Sequence, residues 1–243
     1  MYGSIIICAL AAIPLVAAHG KVAVVTGDQG GNGTALGIRG AVVPGPGPNY
    51  LTEVDTTVFW SKDINTDDDI GYTDEAGNNQ LTDLASAMAQ SGSTLPQVSS
   101  GGSVSGTYHV VTDDGYGPLQ ALVDESATGK WSTASDATVT TQVPGNEGNA
   151  PTKRGLVNWA KNKMGVVSKR AENVNKDYDF AVEIPAGTSC NGTINGISNL
   201  CLVKVSNNNA NGPFGGVFAV QMSTGTTNAR VVRSAKFRQA NQA

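Results

Sequence analysis

Eight short runs of β-forming residues constrain what this chain can fold into more than any other feature of its sequence. The runs are rich in valine, threonine and phenylalanine, and glycine, asparagine and aspartate separate them. Their irregular spacing predicts a mostly β chain, which we interpret as an immunoglobulin-like β-sandwich with long loops. Residues 81–90 and, more briefly, residues 156–164 have apolar side chains at helical spacing, so one or two short helices are expected. The strand-forming runs are residues 21–25, 55–60, 107–112, 119–124, 137–143, 177–184, 200–205 and 217–222.

The first 18 residues have the pattern of a secretory signal peptide: an apolar run without charge, followed by the small residues Val16 and Ala18. The run is shorter than the roughly 20 residues that a bilayer-spanning helix needs, so we expect no membrane anchor. Cleavage after residue 18 leaves residues 19–243 as one domain. A long loop or insertion is expected at about residues 145–176; its Lys169-Arg170 pair is either a protease site or a pair of solvated charges.

Three cysteines occur, and Cys8 leaves with the signal peptide. In an oxidising compartment Cys190 and Cys201 are expected to form a disulfide, the alternative being two buried free thiols. Asn32 and Asn191 each begin an Asn-Gly-Thr sequon, so both are candidate glycosylation sites. The net charge of −4 argues against nucleic acid or an anionic membrane as a partner.

One of the two histidines of the chain falls at the predicted cleavage junction. After cleavage His19 would offer a metal its free α-amine and its imidazole, and His109 would add a third nitrogen. Three nitrogens in a tetragonal arrangement suit copper. This arrangement resembles the histidine brace of lytic polysaccharide monooxygenases, secreted β-sandwich enzymes that cleave glycan chains oxidatively. The resemblance implies that Phe214, before the last strand-forming run, takes the axial position; Gly212 and Val217 depart from the usual glutamine and cysteine nearby.

Each of these residues has a simpler interpretation. His19 can be an incidental first residue, His109 can face solvent or the core of its strand, and Phe214 can fill a turn. The acidic segment 63–75 is similar to a calcium-binding loop but lacks its central glycine, which favours a solvated loop. No G-x-S-x-G elbow accompanies the histidines, and the spacing alone identifies no pair of glycosidase carboxylates.

Longer motifs indicate a family. LPQVSSGGSVSGTYHVVTDDGYGPL at residues 95–119, NANGPFGGVFAVQ at 209–221, the HGKV start at 19–22 and DTTVF at 55–59 resemble the appressorium-associated virulence factors of pathogenic fungi. Typical members have more cysteines, near positions 119–121 and 217, so their disulfides are not transferred to this chain. The resemblance implies a secreted or surface-associated protein that supports host penetration, with retention inside the infection cell as the alternative.

Two functions are therefore compared. The first is a non-catalytic virulence factor that acts at a fungal or host wall, for example on cell-wall glycan. The second is a copper carrier or a copper-dependent enzyme of the polysaccharide monooxygenase type that uses His19, His109 and Phe214. We expect a monomer in either case.

Overall fold

The computed structural model describes residues 19–40, 53–67, 70–151, 173–210 and 212–223. These residues form a sheet of thirteen strands, one short α-helix, α1 (Leu84–Ser91), and two 3-10 turns at Leu81–Asp83 and Trp131–Thr133. The strands are β1 (Gly20–Gly27), β2 (Gly30–Gly33), β3 (Thr57–Val58), β4 (Tyr72–Thr73), β5 (Gly77–Asn78), β6 (Gln97–Val98), β7 (Ser103–Thr112), β8 (Gln120–Asp124), β9 (Ser135–Thr141), β10 (Asn173–Glu183), β11 (Gly192–Ile194), β12 (Ile197–Ser206) and β13 (Phe214–Met222).

The long strands form a sheet that closes on itself. The hydrogen-bonded order runs β12-β8-β9-β10-β7-β1-β13, and β13 pairs again with β12. Pairing is antiparallel around this ring except between β1 and β13, which are parallel. The short strands β3, β4 and β5 continue from the Phe214 end of β13, which places the 53–80 segment beside the start of β1. Closure leaves the ring without free strand edges.

Alternation along the strands divides the core in two. In β12, Cys201, Val203 and Val205 lie in one apolar cluster, whereas Leu200 and Leu202 lie in the other. The first cluster contains the inward residues of the ring; the second lies between the opposite face and α1. Side chains on the outer face of the ring that belong to the second cluster, such as Leu200 and Leu202, are therefore fully buried as well.

The mostly β class is confirmed, and each of the eight strand-forming runs contains or overlaps a strand. The pattern at residues 81–90 is confirmed as a 3-10 turn followed by α1. The immunoglobulin-like arrangement stays a prediction, because the strands join in one closed sheet. The signal peptide, the helix expected at 156–164 and Lys169-Arg170 lie outside the described residues, as does most of the predicted 145–176 loop. No helix in the described ranges is long and apolar enough to span a bilayer.

The expected disulfide is present. Cys190 and Cys201 are bonded, with their Cα atoms 4.8 Å apart and eleven positions apart in sequence. Both belong to the apolar cluster inside the ring. The bond therefore joins the segment before β11 to the middle of a central strand.

Candidate functional site: a buried imidazole and carboxylate cluster

Strand register places the two histidines on the same face of the sheet. Gly20 pairs with Val110 and Lys21 with His109 across β1 and β7, and the carbonyl oxygen of His19 accepts hydrogen bonds from the amides of Val111 (2.9 Å) and Thr112 (3.3 Å). Because side chains alternate along a strand, those of His19, Lys21 and His109 lie on one face. His19 and His109 are then diagonal neighbours, a relation that lets long side chains meet.

Two glycines let the loop after β7 lie against the start of β1. A Cβ on Gly20 would lie 2.5 Å from the Tyr108 hydroxyl and 2.8 Å from the Gly115 carbonyl oxygen, and a Cβ on Gly115 would overlap the His19 carbonyl oxygen. The backbone of His19 and Gly20 therefore packs directly against that of Gly115. This backbone packing positions His19 independently of the contacts of its ring.

The His19 ring is bounded by an aromatic ring and a carboxylate. Its centroid lies 4.7 Å from that of Phe214, with the planes tilted by 35°. Its Nδ1 contacts Oδ1 of Asp114, and the same oxygen accepts a 2.6 Å hydrogen bond from the Thr112 hydroxyl. Asp74 is close enough to interact electrostatically with His19: burial raises the pKa of Asp74, and the imidazole opposes that rise only in part.

His109 lies between two carboxylates. Its Nδ1 is 2.6 Å from Oδ1 of Asp177, a side chain that is 70% exposed, and its Nε2 is 3.4 Å from Oε2 of the buried Glu53. Burial lowers the pKa of His109, but its interactions with Glu53 and Asp177 outweigh that effect, so the pKa is raised above its ordinary value.

Lys21 supplies the cation of the same cluster. It is only 1% exposed, and its Nζ lies 2.5 Å from Oδ1 of Asp55 and 3.9 Å from Oε2 of Glu53. The other Asp55 oxygen accepts hydrogen bonds from the amides of Arg39 and Gly40. Among the described residues, the cations near the Glu53 carboxylate are Lys21, at 3.9 Å, and, when protonated, His109, at 3.4 Å.

The buried ring nitrogens suit the expected metal in donor type. Nδ1 of His19 lies against Asp114 and Nε2 of His109 lies 3.4 Å from Glu53, so each of the two buried nitrogens faces a carboxylate. Nδ1 is the ring nitrogen that closes a chelate with the α-amine of the same residue. The described residues contain no group of three or more His, Cys, Asp or Glu side chains arranged to bind a metal. A brace needs only two side chains because its third donor is the amine, so the residues present fit copper in donor type.

An aromatic stack extends this face of the molecule. Phe214 pairs with Val58, and Val58 pairs with Tyr72, across β13, β3 and β4. These three side chains pack as one small apolar cluster. The Tyr72 ring stacks on the indole of Trp60, with centroids 4.4 Å apart and planes 19° apart. The exposed Trp60 is thus linked to His19 through a continuous row of side chains.

The structure brings His19 and Phe214 into contact and places His109 on the same face, whereas copper binding itself stays a prediction. Asn32 and Asn191 are both exposed, and their glycosylation also stays a prediction. In the acidic segment 63–75, for which the sequence favours a solvated loop over a calcium site, Asp63 and Asp67 accept hydrogen bonds from Asn65 and Ser132. The sequence patterns did not predict the charged residues around the histidines or the aromatic stack. A lysine within an apolar strand, Lys21, was the one sequence pattern that could have indicated a buried charge. The residues not predicted are Lys21, Glu53, Asp55, Asp114 and Asp177 in the charge cluster, and Trp60 and Tyr72 in the stack.

Fold and site together define a disulfide-containing, mostly β protein in which a buried histidine directly precedes strand β1. The profile of the Egh16-like family, described as an Egh16-like virulence factor, matches residues 17–215. The chain therefore belongs to the Egh16-like virulence factor family, which confirms the resemblance seen in its motifs.

Two relatives from Pyricularia oryzae bear a related description. Appressoria-specific virulence factor GAS1, from strain 70-15, is 33% identical over 226 residues, which are 92% of this chain and 80% of the relative. Appressoria-specific virulence factor GAS2 is 30% identical over 152 residues, 62% of this chain and 44% of the relative. No solved structure matches the chain. The relatives' names support a virulence-factor role for the family.

Proposed function

We propose that this protein is a secreted virulence factor of fungal infection structures, that it supports host penetration, and that its mature form begins at His19. Its family and the names of its relatives support the setting. The leader pattern and the disulfide between Cys190 and Cys201 support export to an oxidising compartment.

We further propose that the mature protein binds one copper ion through the α-amine and Nδ1 of His19 and through Nε2 of His109. The observation behind this proposal is that both imidazole rings are buried on one face of the sheet, with Nδ1 of His19 against Asp114 and Nε2 of His109 beside Glu53. Carboxylates next to the ring nitrogens add negative charge that favours a bound cation.

Neighbouring carboxylates prepare His109 for this role. Asp177 lies 2.6 Å from Nδ1, so it favours the tautomer that has its proton on Nδ1 and the lone pair on Nε2. Glu53, 3.4 Å from Nε2, adds negative charge beside a bound cation. Phe214 covers one side of the His19 ring and excludes water there.

Oxidative cleavage of cell-wall glycan is a second candidate function, favoured by the contact between Phe214 and His19. Copper would supply one-electron redox chemistry with oxygen there. Glu53 is buried within 3.4 Å of His109, where its carboxylate can accept and return a proton. Phe214 has no hydroxyl, so it shapes the site without donating a ligand.

The first experiment tests the mature end and copper binding together. The chain is expressed in a fungal host with its own leader, the start of the secreted protein is determined by mass spectrometry, and thermal unfolding is followed with and without Cu(II). At a free copper concentration one hundred times Kd, binding adds about 2.7 kcal/mol. For about 225 residues that raises Tm by roughly 5–10 °C.

The matched control is the same protein with one additional alanine before His19, which displaces the amine but leaves the fold unchanged. We expect the copper-dependent rise in Tm to disappear in this control and in His109→Ala. A secreted protein that begins elsewhere, or an equal rise in both forms, contradicts the copper proposal. Retention of the protein inside infection cells contradicts the secretion proposal and leaves the copper result unaffected.

A further inference from the structure

The aromatic stack formed by Trp60 and Tyr72 has no role in folding that explains its exposure. Trp60 is 65% exposed, and the only other exposed large apolar side chain among the described residues is Val24. Leaving an indole in water is unfavourable by the measure that drives side chains into the core. The stack is therefore a candidate binding surface.

The backbone on either side of Trp60 holds the indole in a fixed position. Phe59 is buried in the second apolar cluster, and its amide donates a 2.9 Å hydrogen bond to the Pro213 carbonyl oxygen. After Trp60, the amide of Asp63 donates to the Ser61 hydroxyl at 3.1 Å, and the amide of Thr66 donates to the Asp63 carbonyl oxygen at 3.0 Å. With one ring face against Tyr72, the indole presents its other side to solvent without rearrangement, which lowers the ordering cost of binding.

The charges around the stack exclude polyanions. The described segments that follow Trp60 and Tyr72 in sequence have four exposed acidic residues and one exposed lysine. Nucleic acids and anionic lipids bind through cationic surfaces, so neither suits this one. A single indole also offers at most about 250 Å², well below the roughly 800 Å² that each partner contributes to a stable protein interface. The exposed charged residues are Lys62, Asp63, Asp67, Asp74 and Glu75.

We propose that the Trp60–Tyr72 stack binds a neutral, β-1,4-linked polysaccharide chain by stacking the indole on the face of a pyranose ring. When the substituents of a pyranose are equatorial, its two faces present only C–H groups and its edge presents hydroxyl or amide groups. Such a ring combines an apolar surface the size of an aromatic ring with a polar rim, which matches an exposed indole in a segment rich in polar and acidic residues. This assignment deepens the proposed action at a cell wall and does not depend on copper.

The position of the stack extends the site toward His19. Tyr72 lies two strands from Phe214, about 10 Å at the usual strand spacing, and Phe214 contacts the His19 ring. A chain bound across the indole would therefore lie about 10 Å from Phe214, whereas the Phe214 and His19 rings are themselves buried.

Calorimetric titration of the copper-free secreted protein with cellohexaose and chitohexaose tests this proposal. We expect binding of at least one of the two, weakened about tenfold or more by Trp60→Ala, since aromatic stacking contributes on this scale. Trp60→Phe is expected to keep most of the affinity. Val24→Ala removes the other exposed apolar side chain and is expected to bind as the wild type does.

Three results overturn the assignment: no binding of either hexasaccharide, equal affinity in wild type and Trp60→Ala, or Trp60-dependent binding of a thymidine hexanucleotide in preference to both sugars. Circular dichroism of Trp60→Ala is expected to match the wild type, because the side chain is largely exposed. Since copper is absent from the assay, failure here and failure of the copper proposal are separate outcomes.

Discussion

Replacing Lys21 by methionine tests whether the charge cluster is a balanced unit. The substitution keeps the length of the side chain and removes its charge. Glu53 and Asp55 then remain as two buried carboxylates, one of them 2.5 Å and the other 3.9 Å from the lost ammonium. Removing one partner of a buried ion pair costs about 3–5 kcal/mol, because the remaining charge is left uncompensated. We expect that loss in the free energy of unfolding.

Equilibrium unfolding in urea measures this loss. With a slope of about 2–3 kcal/mol per molar for a domain of this size, the unfolding midpoint should fall by roughly 1–2 M. Lys130→Met is the matched control, because Lys130 is exposed, and should change stability by less than about 0.5 kcal/mol. Combining Lys21→Met with Glu53→Gln and Asp55→Asn removes the unbalanced charge and should recover at least half of the loss. If Lys21→Met lowers the free energy of unfolding no more than Lys130→Met does, Lys21 does not stabilise the fold by balancing Glu53 and Asp55.

Three further predictions concern the same framework. Breaking the disulfide between Cys190 and Cys201 should lower the free energy of unfolding by about 3 kcal/mol, as expected for a loop of eleven positions, measured in urea with and without reductant. Because the folded state raises the pKa of His109, its contribution is complete below the unfolded value of about 6.5 and is lost as pH rises through the folded one; the copper-free protein should lose stability as the pH is raised above about 6.5. Gly115→Ala should destabilise the fold and weaken copper binding, because its Cβ overlaps the His19 carbonyl oxygen.

Each of these has a control and a contradicting result. Unchanged unfolding in reductant argues against a stabilising disulfide. His109→Gln should flatten the dependence on pH, and an equal slope in both proteins would assign it to other groups. Gly40→Ala adds a Cβ where no atom lies within 4 Å, so it is the comparison for Gly115→Ala. Equal stability of the two glycine variants would contradict the close packing at His19.

Local patterns predicted much of the fold. Long strands such as β7, β12 and β13 are predicted by their β-branched residues and by the turn residues at their ends. The helix α1 is predicted by the helical spacing of its apolar residues. The two-residue strands β4 and β5 have no periodicity to detect, and they pair with each other and with β3. Closure of the sheet through β12 and β13 is likewise a long-range property.

The candidate site likewise contains residues that the sequence could identify and residues that only the three-dimensional structure brings together. The cleavage junction identified His19, the rarity of histidine identified His109, and a family resemblance identified Phe214. The partners of these residues come from distant parts of the chain: Glu53 and Asp55 from the segment that leads into β3, and Asp177 from β10. Only the register of β1, β7 and β10 places them together, and no single segment of sequence encodes that register.

Electron paramagnetic resonance of the Cu(II) protein shows directly whether copper binds through His19 and His109. In the secreted protein labelled with ¹⁵N, we expect a tetragonal spectrum with hyperfine coupling to three nitrogens. The number of coupled nitrogens should fall in His109→Ala and in the form with an added N-terminal alanine. A spectrum identical in all three proteins, or copper that binds with no coupling to these nitrogens, would contradict a copper site built on His19 and His109.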